Sequence, residues 1–416
     1  MKLTLRQQIT QFAHVLQTRL FPCLEEELGE LSGSAKRLVS TLEMIPLARF
    51  VPASRGWIGR PSKDRLAIAS AFVAKAVYGF THTRQLLESL QRDDQLRRIC
   101  GWSSARQVPH ESCFSRAFAE FARMELPQFV HEALVRETQQ GRLIGHIARD
   151  STAIEARERF PETPEQRAAR HAERKAKLKQ QRKTARAAAK KAAGKAAQPP
   201  AKRGRRGPDQ RFPGGKRPYV PKPDTRLERQ RTMKLPAMLA DLPTKCDIGG
   251  KKNSQGNTEY WRGYKLHLDV ADGQIPISAV LTSASLHDSQ VAIPLATMTT
   301  ARVTYCYEVM DSAYDAYHIK EQSRALGHVP IVDPKAPGGV KPEGQTIPLG
   351  ALPRQLSWAE EERYKERTMV ERVNGRLKDE FGARFVRVRG ASKVMAHLMF
   401  GVLALTVDQI LRLVTQ

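Results

Sequence analysis

The chain has 416 residues, 41 % of them hydrophobic, enough for a real core and, at about 150 residues per domain, for two to three domains. Lys plus Arg number 69 against 43 Asp plus Glu, giving a net charge of +26 and a pI near 10.1. That balance excludes a typical neutral metabolic enzyme and points to a polyanionic partner, nucleic acid or an anionic membrane surface. Of these two, the membrane fits poorly. The apolar stretches Ala67 to Phe80, interrupted by Lys75, and Met395 to Val407 fall short of the roughly 18 residues a spanning helix needs. Met1 to Leu20 has no continuous apolar segment of the kind a secretory signal carries. The five cysteines are scattered without a Cys-x-x-Cys pair, so neither a zinc site nor a disulfide framework is expected. A reducing cytoplasm is the expected location.

Residues 1 to about 135 read as helical. Leu66, Ala69, Val73 and Val77 recur at helical spacing after Pro61 and Ser62, and Gly79 ends the run. A short helix follows over Thr83 to Leu90, and Phe114, Phe118 and Phe121 line one face of another that begins near Ser112. Short helices with basic residues fit either a helix-turn-helix-like DNA reader or a purely structural subdomain. At Leu143 to Ala148 the texture changes to a strand that stops at Asp150. Residues 171–232 then concentrate the charge: 21 Lys or Arg against 4 acids, or +17 of the total +26. An Ala-, Lys- and Arg-rich stretch followed by a Pro- and Gly-rich one cannot bury much, and it reads as a solvated insert able to neutralise phosphates.

Beyond the insert, Tyr264, Leu266, Leu268 and Val270 alternate with Lys265, His267 and Asp269. Asp272-Gly273 turns the chain, and Ile275 to Thr282 returns as the second strand of a hairpin. Tyr305 to Met310 is a strand ending at Asp311, Tyr314 to Leu326 a helix, and Val329 to Val332 a strand. A helix is expected from about Ala359 to Phe381, and a last apolar one from about Ser392 to Val414.

Three carboxylates stand out. Asp150 and Asp311 each follow an apolar strand, where α/β sheets place their chemistry. The third is Glu371. On one continuous helix, Tyr364, Arg367, Glu371 and Lys378 share an arc of roughly 60°, away from Val370, Val373 and Leu377. A surface helix with an ordinary Arg367–Glu371 pair meets the same spacing. Asp269, Asp288 and Asp333 are reserve carboxylates: Asp269 is expected to face solvent and Asp288 to cap a turn or helix. His267 and His287 read as hydrogen-bonded structural histidines.

The spacing Tyr364-x-x-Arg367-x-x-x-Glu371-x-x-x-x-x-x-Lys378 resembles the Tyr-Arg-Glu-Lys signature of bacterial insertion-sequence transposases of the DDE type. Ala148-Arg149-Asp150-Ser151-Thr152 is similar to the family's first-aspartate motif, and Met310-Asp311-Ser312-Ala313-Tyr314-Asp315 to its second. Gly263 to His267, Ser285 to Ser289 and the region Gly59 to Arg123 are similar to further segments of the family. One departure is Ala313, where the family often has Gly; Ala resists the positive φ that Gly permits.

The resemblance implies an α/β fold: a ribonuclease-H-like mixed-sheet catalytic core with an insertion, plus an all-α N-terminal domain. The expected boundaries are 1–135 for a helical DNA-binding domain, 136–156 with 248–390 for the core, 157–247 for a basic, largely flexible insertion, and 391–416 for a C-terminal helix. It implies that Asp150, Asp311 and Glu371 converge as catalytic residues on two Mg²⁺ ions, with Mn²⁺ a substitute, because hard divalent ions take oxygen ligands. Tyr364, Arg367 and Lys378 are then expected to contact DNA. The implied partners are transposon ends and target DNA, in a homodimer or larger assembly at the bacterial nucleoid, with no membrane.

Overall fold

The computed structural model describes residues 4–51, 63–139, 141–158, 165, 168–169, 171–181, 225–252, 257–333 and 356–415. Residues 1–158 and 225–416 form one compact unit, and 159–224 a second. Within the second, residues 171–181 are helical and exposed; most of the expected basic insertion lies outside the described residues. The first unit reaches further than the sequence suggests, because 225–247, assigned above to the insertion, is folded. Helix Arg226–Gln230 opens on a Thr225 capping box, and Gln230, fully buried, donates from its side chain to the Gln290 carbonyl at 3.0 Å. Helix Leu235–Ala240 follows, with Pro236 in its first turn. Basic composition concealed these short elements.

Six strands make one mixed sheet: β1 (Leu143–Glu155), β2 (Asp247–Lys252), β3 (Thr258–Ala271), β4 (Ile275–Ser283), β5 (Thr304–Met310) and β6 (Val329–Val332). The long strand β3 is central. Its N-terminal half pairs with β2 and its C-terminal half with β4, both antiparallel, while β1 pairs along its other edge, also antiparallel. Then β5 adds parallel to β1, and β6 parallel to β5. At Gly263 the ladder of β3 changes partner; φ there is +153°, and a Cβ would sit 2.0 Å from the Ile154 carbonyl oxygen, so only glycine fits. The expected Asp272-Gly273 turn is present. The Asp272 carboxylate accepts from the backbone N–H of Gly145 and His146 at 2.7 and 3.0 Å, tying the hairpin to β1.

This is the mixed-sheet α/β core expected, with helices on both faces and a helical N-terminal region. The sheet face carrying Ala148, Ile154, Leu266 and Leu268 shares one core with helix Thr368–Asp379, with the long helix Ala391–Thr415 and with the N-terminal helices Arg65–Val77 and Glu111–Arg123. Helix Ala391–Thr415 is apolar on most of its circumference and is long enough to cross a membrane, but most of it is buried among these elements, as expected of a core helix. It joins the N-terminal helices to the sheet, which is why they form one unit instead of separate domains. His131 Nε2 lies 3.2 Å from Thr406 Oγ1 across that junction, and Arg376 on helix Thr368–Asp379 reaches Asp408 at 2.7 Å and Gln409 at 2.8 Å.

On the other face lies a buried ionic network. Arg149 donates to both Asp269 oxygens at 2.8 and 2.9 Å and to Glu308 at 3.3 and 3.5 Å. Thr299 donates to Asp269 at 2.6 Å, and Tyr305 to Glu308 at 2.5 Å. Arg149, Asp269 and Glu308 are each at most 1 % exposed. Asp269 is therefore not the solvent-facing group that alternation suggested: β3 is covered on both faces, and Arg149 supplies its counter-charge. Removing one partner strands a buried charge, so Asp269→Ala should cost about 3–5 kcal/mol, read as a lower denaturant midpoint in equilibrium unfolding.

Burial also holds His131 and His267 neutral, with pKa values lowered to about 3 and about 4. The unfolded chain binds protons at these histidines below about pH 6.5 while the folded chain does not. These groups should therefore remove up to about 1.4 kcal/mol of stability per pH unit each as pH falls from about 6.5 toward 4. Guanidinium titrations across that range check the slope, and His267→Gln should flatten it.

Candidate active site

Asp150 does not lie past a strand end. Strand β1 runs on to Glu155, with Asp150 opposite Leu268 of β3. The placement is set by the other edge. The parallel ladder with β5 ends at the pair Arg149↔Met310, so Asp150 and Asp311 are the next residues on two adjacent strands. Alternation does the rest. Arg149 is anchored on one face, so Asp150 turns to the face of Ala148 and Ile154. Met310 packs with Tyr314 and Val332, whereas Val309 packs with Tyr364, and Asp311 shares the side of Val309. Two non-local carboxylates thus meet under the helix that carries Glu371.

Their electrostatics match that geometry. Burial pushes the Asp150 carboxyl up to about 6; the Ser151 backbone N–H opposes, and the charge of Asp311 adds to the rise. Asp311 is also raised, first by burial, against the Ala313 N–H that donates to it at 2.9 Å, and then by Asp288. That bond closes a turn at Ser312–Tyr314 with ordinary negative φ, so Ala313 in place of glycine is accommodated without strain. Lys251 and Arg367 act on both aspartates in the stabilising direction.

The helix that carries Glu371 differs from expectation. Instead of one continuous helix, Trp358–Tyr364 is followed by a 3₁₀ turn at Lys365–Arg367 and then by helix Thr368–Asp379. Thr368 Oγ1 donates to the Lys365 carbonyl at 3.0 Å across this turn. A 3₁₀ residue advances about 120° instead of 100°, so three of them rotate the wheel by roughly 60°. That rotation keeps Tyr364 within roughly 40° of Arg367, Glu371 and Lys378, so its burial comes from what packs against it and not from the wheel. It is buried, packed on Val309 and Ile331, and the Arg367 guanidinium sits 5.8 Å from its ring centre. Its ring supports the site; it is not an exposed DNA contact. Glu371 is half exposed and bonded to Arg367 at 2.7 Å. Burial works against the Arg367 charge, yet Tyr364, Glu371 and Asp150 together hold its pKa above the usual value. All three predicted carboxylates act on, or are acted on by, this one guanidinium. Among the described residues no group of three His, Cys, Asp or Glu side chains is drawn together as a metal-ligand cluster: Asp150 and Asp311 are neighbours, while Glu371 is bonded to Arg367.

Lys378 is half-buried, and burial with the nearby Arg384 and Lys251 lowers its pKa. Asp379, the next residue, pairs with Arg384. Two contributors lie outside the expected set of site residues, Lys251 and the reserve carboxylate Asp288. Lys251 sits on β2, inside the expected core, where no motif singled it out. Asp288 holds the N-cap position of its helix but makes no side-chain cap; Lys265 Nζ donates to it at 2.9 Å, and it also acts on Asp311. His267 bonds Thr282 at 2.9 Å and exposed His287 bonds Ser289 at 2.8 Å, both structural as expected. Asp311→Asn should therefore lower the Asp150 pKa and Arg367→Gln should raise it. Carbon-13 titration of the aspartate carboxyls reads both directions.

Two family models match the chain. The Transposase DDE domain covers residues 223–407, including Asp311 and Glu371, and a Transposase domain (DUF772) covers residues 27–120. Together they span about two thirds of the sequence, with Asp150 falling between them. No curated protein and no solved structure gave a match. With a mixed sheet that sets two aspartates side by side and a transposase match over both the helical region and the later core, the chain belongs to the DDE transposases of insertion sequences.

Proposed function

We propose that this chain is the enzyme that moves its own insertion sequence: it binds the terminal inverted repeats, cleaves phosphodiester bonds there and joins the ends to target DNA. The observation that supports it most is the Arg149↔Met310 register, which places Asp150 and Asp311 side by side under the Glu371 helix. Two neighbouring half-buried carboxylates with raised pKa values are a donor set suited to a hard divalent cation. We assign Asp150, Asp311 and Glu371 to hold such ions, Mg²⁺ or Mn²⁺, with Glu371 leaving Arg367 to do so. When bound, the ions supply an activated water or 3′-hydroxyl and charge stabilisation on the leaving oxygen.

The chain's own residues do the rest. Arg367 is held by Tyr364 and by the acids, and its planar fork suits a phosphate of the transposon end. Lys251, Lys378 and Arg384 form a basic cluster beside the aspartates, along which a DNA backbone can run. The exposed helix 171–181 and the basic stretch after it add sequence-independent attraction. Bringing two ends together calls for a dimer or larger assembly, acting in the bacterial cytoplasm at the nucleoid.

Asp150→Asn, Asp311→Asn and Glu371→Gln should each abolish cleavage of an end-bearing duplex while sparing end binding. Full cleavage by all three would reject the assignment. Supplying pre-cut 3′-hydroxyl ends and target DNA separates a transposase, which yields joined products, from a nuclease of the same fold. A second check needs no DNA. The raised Asp150 pKa contributes stability below about pH 4 that is lost as pH rises through about 6. Mg²⁺ should therefore raise the thermal midpoint at pH 7.5, lose that effect below about pH 6, and have little effect on Asp150→Asn.

A further inference from the structure

Away from the aspartates, a cavity of about 350 Å³ opens between the N-terminal helices and the segment before the C-terminal helix. Lys75 lines it. This lysine is 7 % exposed, on helix Arg65–Val77, whose neighbours are almost all apolar. Burial lowers its pKa to about 8, and no carboxylate contributes in the opposite direction. Its side chain has no hydrogen bond or ion pair among the described residues. A buried ammonium without a counter-ion is costly, so a group that enters the cavity and neutralises it gains affinity.

Three further features of the wall favour an anion. Arg84, Arg157 and Arg387 line the cavity, and none has an ion pair among the described residues. Glu111 is the one acid in the lining. The N-terminus of helix Thr83–Arg92 opens there with Thr81, His82, Thr83 and Arg84 in the wall, no side-chain cap and no acid in its first turn. Its free backbone N–H groups and positive dipole end suit an anion. The floor is Phe72 and Phe118, with ring centres 4.8 Å apart. His397, also in the wall, is spoken for by the Gly382 carbonyl at 3.1 Å.

We propose that this cavity is a phosphate-binding site, built from Lys75, Arg84, Arg157, Arg387 and the uncapped helix start, that seats one backbone phosphate of bound DNA. It is separate from the Asp150–Asp311 pair, and it rests on the reading that the chain binds DNA. A phosphate here anchors the N-terminal helices and the Arg387 segment to the same DNA strand and so positions the helical region on it.

The full-length protein tests this in two arms. In the first, inorganic phosphate is compared with chloride at equal ionic strength in thermal unfolding. Phosphate should raise the midpoint of the parent chain and of Asp311→Asn, but not of Lys75→Met, which removes a buried charge at similar volume. Because Lys75→Met alters a core helix, Arg387→Gln, at an exposed position, provides an independent variant and should weaken the phosphate effect. Pyridoxal phosphate followed by borohydride should label Lys75, and duplex DNA should block that labelling. In the second arm, Lys75→Met and Arg387→Gln should weaken duplex binding evenly across sequences and reduce the slope of log affinity against log salt by about one each. An equal phosphate response in Lys75→Met and the parent overturns the site. A phosphate response with unchanged duplex affinity and salt slope in both variants overturns its assignment to DNA. Loss of cleavage in Asp311→Asn with both arms intact leaves the site standing independently of the catalytic assignment.

Discussion

Arg149 organises this molecule. Its guanidinium is fully buried, bridges Asp269 of β3 and Glu308 of β5, and so joins the three central strands behind the sheet. A charge that deep is tolerated only when it is paired and hydrogen-bonded, and Thr299 and Tyr305 complete the bonding. The network locks register as well as identity. A slip of one residue would bury an unpaired cation on one face and turn Asp150 away from the other. The adjacency of Asp150 and Asp311 thus depends on an interaction made by the residue next to the first aspartate, on the opposite side of the sheet.

That arrangement separates rigidity from reactivity. The two aspartates are held by hydrogen-bond ladders and the Arg149 network, so they cannot escape their surroundings by movement of the backbone. Burial first, and then the charge of Asp311 on Asp150 and of Asp288 on Asp311, appears as raised pKa values. Glu371 is different. It is half exposed on a helix surface and bonded to Arg367, a guanidinium that also acts on both aspartates. Arg367 is held in turn by the buried Tyr364 ring, at a 3₁₀ turn between two helical segments. The strands fix two acids, and the helix offers the third through an exchangeable ion pair.

The N-terminal helices are not an appendage. Helix Ala391–Thr415 packs against them and against the sheet, and Arg376 with Asp408 clamps it to the helix that carries Glu371. The proposed phosphate cavity lies at the same junction, lined by residues on both sides of it. A contact made by the helical region with DNA is therefore mechanically connected to the catalytic helix through packed side chains, without a linker between them.

Much of this was legible in the order of residues, for identifiable reasons. Alternation in Tyr264 to Val270 and the Asp272-Gly273 turn identified a hairpin, because a two-residue side-chain period and a turn residue are local properties. The motifs around Asp150, Asp311 and Glu371 named the acids and the family. What local pattern could not supply was partnership. The alternation of β3 placed Asp269 in solvent; only the tertiary structure covers both faces of the sheet and brings Arg149 to it. A wheel drawn on one helix placed Tyr364 on the polar arc beside Glu371; only the tertiary structure packs Val309 and Ile331 against its ring. The basic composition of the insertion hid the short helices Arg226–Gln230 and Leu235–Ala240, and no local motif marked Lys251 in the core beyond them. Lys75 read only as a break in an apolar run, since its lack of a counter-ion is a fact about neighbours remote in the chain. Residue identity determined which groups carry charge and which periods repeat; strand register and helix packing decided which of those charges meet.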